Sequence, residues 1–279
     1  MWVGQQLADG LDFWGFLGSL ILGGIILGIY TGLLGYVGAK TGLSLDLLSQ
    51  RAFGEKGSYL PSAMTSFTQI GWFGVGSFVS GGTATPNVAR FAKDGKAGAI
   101  TTVVAFFIGN SLMFFFGAVS SIFVGGNDIF EVMVRLNLFY LAVLVLGLNI
   151  WTTNDNALYT AGLGLANIFH QRKKPMVLLS GIIGTVASVW LYYNFCGWLN
   201  ILNCTLPPVG MILVLAYFMN KKDFETDQPK LKTVDWFAVA GVILGAIVAN
   251  LLHWGIASIN GMVVAAVCFC VGQAVNKRK

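Results

Sequence analysis

Eight apolar runs, each close to the length of a bilayer crossing, constrain this chain more than any single motif. They cover residues 13–38, 59–83, 99–124, 138–168, 176–194, 196–219, 234–254 and 256–275. A transmembrane helix needs roughly 20 mostly apolar residues, so each run is a candidate span. The expected fold is all-α: a polytopic helical membrane protein, with one transmembrane domain over 1–279. Composition excludes a water-soluble domain. Hydrophobic residues make up 56% of the 279 and charged residues 10%, with a mean hydropathy of +0.73. An ordinary soluble chain carries about 25% charged residues. The 36 glycines would weaken soluble helices, but in a membrane they let helices approach closely.

The charges exclude other classes. The net charge of +5 sits in short connectors and the tail, not on a continuous basic face, so nucleic acid is not expected as a partner. Cys196, Cys204, Cys268 and Cys270 form no CxxC and lie in or beside apolar runs, which points to neither zinc nor a disulfide framework. Residues 1–12 lack the basic start and small-residue cleavage site of a signal peptide. No feature calls for an obligate protein partner, and the glycine ridges serve internal and external contacts alike. The lipid bilayer is the expected surrounding.

The central run holds LGLNIWTTNDNALY (146–159), in which Asn149, Thr152, Thr153 and Asn156 fall at i, i+3, i+4 and i+7. On a helix they form one polar stripe near mid-membrane. Uncharged carbonyl and hydroxyl oxygens are what a partly dehydrated alkali cation or a flat polar solute needs. Two readings stand side by side: a substrate or ion path, or helix–helix glue. Asp155 lies mid-span on a different helical face, either as a proton site or as a charge satisfied by neighbouring helices.

The run at 59–83 and its continuation to Phe91 form the least helix-like stretch. Gly71, Gly74, Gly76, Gly81 and Gly82 lower helix propensity, and Pro86 breaks a helix interior. Gln69, Trp72, Phe78 and Ser80 are interleaved with the glycines. Broken backbone at membrane depth is tolerated where it is buried in protein or lines a cavity. A glycine-rich packing helix with an interfacial Trp is the alternative, but Trp72 falls mid-run. The cavity reading is preferred.

Elsewhere, Gly24, Gly28 and Gly32 make a small-xxx-small ridge on the first run, suited to a tight helix crossing. The connector 39–57 is long enough for a short surface helix. Asn110 alone interrupts a Phe-rich run, and Pro207 and Pro208 predict a kink in the sixth. Basic residues collect after the second, fourth, sixth and eighth runs, which places those ends and the C-terminus in the cytoplasm. The connector after the first run breaks this alternation with Lys40, Arg51 and Lys56. Both flanks of run 59–83 then read as cytoplasmic, which one crossing does not allow.

Three stretches carry a resemblance: TQIGWFGVG (68–76), SFVSGGTATPNVARF (77–91) and GLNIWTTNDNALY (147–159), supported by GYVGAKTGLS (35–44) and LPPVG (206–210). Together they resemble the nucleobase–cation symporter family along nearly the whole chain. The resemblance implies an inverted-repeat transporter fold with broken helices at the substrate site. It implies that Trp72 and Phe78 sandwich a cytosine ring, with hydrogen bonds from Gln69, Asn149 and the segment at Ser77, Ser80 and Gly81. It also implies that Asn149, Thr152 and Thr153 form part of a sodium site, with sodium as coupling ion. The implied location is the bacterial inner membrane.

The residue types agree with those roles. A carboxamide offers a donor and an acceptor to an amino-pyrimidinone edge. Stacking on aromatic faces is worth about 1–3 kcal/mol per base in nucleic-acid proteins. In the family, QIGWFGVG and SFVSGGT belong to the third and sixth helices, yet here they meet at Gly76–Ser77. That implies an internal deletion junction near 76–77, and a missing leading half of the first helix. It accounts for the parity problem, since the run then joins halves of two helices. The expected function is cytosine import by sodium symport. The alternative is a transport-incompetent truncated fragment. An intramembrane enzyme is disfavoured, since no Ser sits in a G-x-S-x-G elbow and His170 and His253 lie at run ends or in connectors.

Overall fold

A computed structural model describes residues 12–75, 84–125, 129–226, 229, 231–252 and 254–277. All regular structure among them is helical. In chain order the helices are α1 (Phe13–Thr41), α2 (Leu45–Phe53), α3 (Tyr59–Val75), α4 (Pro86–Ala89) and α5 (Gly95–Val104). A π-helical turn (Ala105–Gly109) leads into α6 (Asn110–Val124), then α7 (Ile129–Arg135), α8 (Phe139–Phe169) and α9 (Lys173–Tyr193). The last four are α10 (Phe195–Met219), α11 (Lys221–Phe224), α12 (Trp236–Leu251) and α13 (Ala257–Lys277). Among the described residues, five helical stretches are long and apolar enough to cross a membrane: Phe13–Thr41, Gly95–Val124, Lys173–Leu191, Gly197–Met219 and Ala257–Asn276. With its many exposed large apolar side chains, this is a multi-pass helical membrane protein.

The glycine ridge on α1 fixes its crossing with α5. A Cβ on Gly24 would sit 2.9 Å from Phe107, and one on Gly32 would sit 2.6 Å from Val103. Further along, Gly35 meets Thr102 and Gly98, and Gly38 meets Pro86. Contacts therefore pair the end of α1 with the start of α5, so the two run antiparallel.

The connector 39–57 does hold a short helix, α2. Ser44 caps it by accepting from the Leu47 backbone N–H at 3.4 Å. Leu45, Leu48 and Phe53 on α2 are fully buried with Leu34 and Val37 of α1, Ile212 and Leu213 of α10, Val242 of α12 and Phe269 of α13. At Gly54 the backbone takes φ +87°, and a Cβ there would press on the Lys232 carbonyl at 2.6 Å. That freedom lets 54–57 pair with 232–235, through Glu55 N to Lys232 O (2.7 Å) and Asp235 N to Phe53 O (2.6 Å).

The expected kink site in α10 is helical through Pro207 and Pro208. Glycines make room for the second ring, because Gly245 of α12 and Gly261 of α13 each face Pro208 at 3.2 Å. The turn at Asn194 joins α9 to α10.

One end of the bundle gathers the basic residues. Asn167 near the end of α8 bonds Ser58 and Ser62 near the start of α3. The start of α4 meets the end of α1, and Asn87 accepts from the Leu45 N–H (2.8 Å). Both flanks of run 59–83 thus lie at the same end, as the charges predicted. The junction expected at 76–77 lies outside the described residues.

Candidate functional site

Helices α3 and α8 carry the candidate residues, and they pack antiparallel. Small side chains set their spacing. Ser66 Oγ donates to the Ala161 carbonyl (3.1 Å), and a Cβ on Gly164 would collide with Ser66 and the Ser62 carbonyl. Ala157, Thr160 and Ala161 are the buried face of α8.

Gln69 is buried at 6% exposure on the same side of α3 as Ser62 and Ser66. One turn further, the backbone of Trp72 is in the last turn of α3, and its side chain lies outside the described part of the structure. Gly71 between them packs directly under the ring of Trp198 on α10, itself buried with Leu202, Leu206, Leu191 and Ala157. This contact fixes the height and rotation of α3 next to Gln69 and Trp72. Ser77, Phe78, Ser80 and Gly81 lie outside the described residues.

The central stripe on α8 is helical, as expected, but it faces outward. Asn149, Thr152 and Asn156 are exposed, Thr153 is half-buried, and Asp155 is exposed as well. The structure therefore places Gln69 in the packed interior and Asn149 on the open side of α8. The hydroxyls of the stripe are turned onto their own helix. Thr153 Oγ1 donates to the Asn149 carbonyl (2.8 Å), and so does Thr152 Oγ1 (3.0 Å). Asn156 Nδ2 donates to the Thr152 carbonyl (3.2 Å). With each O–H spent on a backbone carbonyl, the hydroxyl oxygens keep lone pairs that accept from a ligand or coordinate a cation.

A second polar stripe was not singled out from sequence. Ser58 just before α3 and Ser62, Thr65, Ser66 and Gln69 on it are buried, at helical spacing, and run from the basic end of the bundle to the candidate site. At that end Asn167 Nδ2 donates to Ser62 Oγ (2.9 Å) and Ser58 Oγ (3.1 Å), and its Oδ1 accepts from Gln50 Nε2 (2.6 Å). Ser62 Oγ in turn donates to Asp46 Oδ1 (2.6 Å). The i, i+4, i+7 spacing of Ser62, Ser66 and Gln69 was the available signal, diluted by the apolar residues between. Alongside, Arg90 donates to Tyr159 Oη (2.5 Å), and Lys173 lies 3.4 Å from the centre of the Tyr159 ring. No group of three or more His, Cys, Asp and Glu among the described residues could hold a metal ion.

A sequence-family model, "Permease for cytosine/purines, uracil, thiamine, allantoin", matches residues 1–88 and 75–275. This chain belongs to that permease family. Among the family's characterised proteins, the cytosine permease of Escherichia coli (strain K12) is 35% identical over 372 aligned positions, covering 100% of this chain and 88% of that protein. The cytosine permease of Escherichia coli O157:H7 matches equally well. The allantoin permease of Bacillus subtilis (strain 168) is 34% identical over 82 residues, 29% of this chain and 16% of that protein. The 372 aligned positions exceed the 279 residues of this permease, so the relative has residues with no counterpart here. The two stretches matched by the family model overlap over 75–88, the region of the expected junction.

Proposed function

We propose that this permease imports cytosine by symport with sodium across the bacterial inner membrane. The observation that carries the reading is the match along the whole chain to permeases named for cytosine. The described geometry supports it. Gln69 offers a buried carboxamide, with donor and acceptor together, one helical turn from Trp72. Trp72 and Phe78 are the proposed stacking pair, and Ser77, Ser80, Gly81 and Asn149 the remaining contacts to the base.

Sodium is assigned to the oxygens of Asn149, Thr152 and Thr153. The hydroxyls of the two threonines already donate to the helix backbone, so their free lone pairs suit a hard cation rather than an anion. Basic residues such as Lys40, Arg51, Arg90 and Lys173 gather at one end of the bundle, and that end is assigned to the cytoplasm together with the C-terminus. The continuous buried core joining α1, α2, α10, α12 and α13 belongs to a folded bundle, and nothing in it favours a transport-incompetent fragment.

The test is uptake of radiolabelled cytosine by cells expressing this chain, with and without sodium, beside Trp72→Ala. Sodium-stimulated uptake that disappears in Trp72→Ala is expected. Absence of uptake, with the protein confirmed in the membrane, would overturn the transport reading for this chain.

A further inference from the structure

The helix α2 has two unlike faces. Leu45, Leu48 and Phe53 anchor it in the apolar core with α1, α10, α12 and α13. Asp46 and Gln50, four residues apart, reach α3 and α8 through hydrogen bonds, beside the apolar contacts that Leu60 and Met64 of α3 make with the same core. Those bonds form a directed chain. Gln50 donates to Asn167, Asn167 to Ser62, and Ser62 to the Asp46 carboxyl, so each donor is aimed along the chain toward Asp46. Asp46 is 5% exposed and Ser62 fully buried. Ser49 Oγ and Asn87 Nδ2, both fully buried, have no partner among the described residues. Unpaired buried polar groups are costly, so the packing around α2 is weaker here than a fully bonded network would make it.

We propose that Asp46 is a proton-binding site: it holds a proton while α3 and α8 are docked against α2, and releases it to water when they part. Burial pushes the Asp46 carboxyl up to about 6, against the Ser62 bond and the Arg90 charge, which favour the ionised form. Several other titratable groups on elements packed against α2 are engaged elsewhere. His170 at the end of α8 meets Tyr59 (2.7 Å), Tyr217 donates to Glu225 (3.0 Å), and Asp235 pairs with Lys232 (3.0 Å). Around α11, Lys221 lies over the Phe218 ring and the Asp223 carbonyl accepts from Arg51.

The sign follows from linkage. A carboxyl whose value is raised in the docked state binds more protons there than when exposed, so docking is favoured at low pH. That preference is lost as pH rises from about 4 to about 6. A displacement of about two pH units corresponds to about a hundredfold change in the docking equilibrium. The proposal stands apart from the transport reading, because its test needs no uptake.

The experiment is hydrogen exchange on the purified full chain in detergent, following amides 45–53 and 58–66 from pH 4.5 to 7.5, corrected for intrinsic rates. Protection should fall as pH rises in the natural protein. In Asp46→Asn, which keeps an acceptor for Ser62, it should be independent of pH. Ser62→Ala, which removes a bond to the ionised form, should move the midpoint above 6. Equal pH dependence in the natural protein and Asp46→Asn would overturn the proposal. So would a flat natural profile, or an unmoved midpoint in Ser62→Ala should Asp46→Asn fail to fold.

Discussion

Asn167 ties three helices together with one carboxamide, accepting from Gln50 on α2 and donating to Ser58 and Ser62 at the start of α3. Removing it leaves part-buried polar groups without partners, which costs about 1–3 kcal/mol, more than the bonds contribute net. Asn167→Ala should therefore lower the thermal unfolding midpoint of the purified protein by several degrees. Asn167→Asp, which keeps the shape and the acceptor, should lower it further by placing a second carboxyl close to Asp46. A midpoint unchanged in both would show that the network contributes nothing to stability. Asn167 shows why single residues were hard to judge from sequence. Its neighbours 165–168 are apolar or small, and the residues it bonds lie 105–117 positions away. Asn149 is the converse case: its stripe was plain in the spacing, but which side of α8 would face a neighbour depended on helices elsewhere in the chain.

At the scale of elements, the α1–α5 crossing rests on backbone contact. A Cβ on Gly98 would collide with Ala39 and sit 2.8 Å from the Gly35 carbonyl, where neither neighbour is a flexible side-chain end. Gly98→Val should force the helices apart at a cost of about 1–3 kcal/mol, as overpacking does. Gly147→Ala is the control, since nothing lies within 4 Å of a Cβ there. The expected result is a lower unfolding midpoint for Gly98→Val and none for Gly147→Ala; equal effects would mean that close approach does not hold this pair. The ridge was legible because Gly24, Gly28 and Gly32 repeat at four residues. So were the apolar runs and the short helix in the connector 39–57, since period and length encode them locally, although that helix is largely buried rather than on the surface. What was not legible around Pro208 is the source of the room for its ring, which comes from Gly245 and Gly261, on helices about 40 and 50 residues onward.

Over the whole molecule, the antiparallel helices return the chain repeatedly to the basic end, and the parity conflict in the charges disappears because both described flanks of run 59–83 lie there. The candidate site lies between two packing regimes. Gln69 belongs to the interior shared by α3, α8 and α10, while the proposed sodium oxygens line the open side of α8. Two ligands bridging such a boundary order the same helix, and each then binds more tightly in the presence of the other. Linkage requires the two enhancements to be equal at equilibrium, whatever the structural path. Typical coupling of about 1–3 kcal/mol corresponds to roughly 5–150-fold in affinity. Cytosine binding to the purified protein should therefore tighten by a factor in that range between sodium-free and saturating sodium buffers. Sodium binding should tighten by the same factor when cytosine is saturating. Thr153→Val keeps the side-chain shape and removes the oxygen, so it should collapse both factors toward one while leaving sodium-free cytosine binding in place. Cytosine affinity indifferent to sodium in the natural protein would separate the two sites and remove sodium from the mechanism.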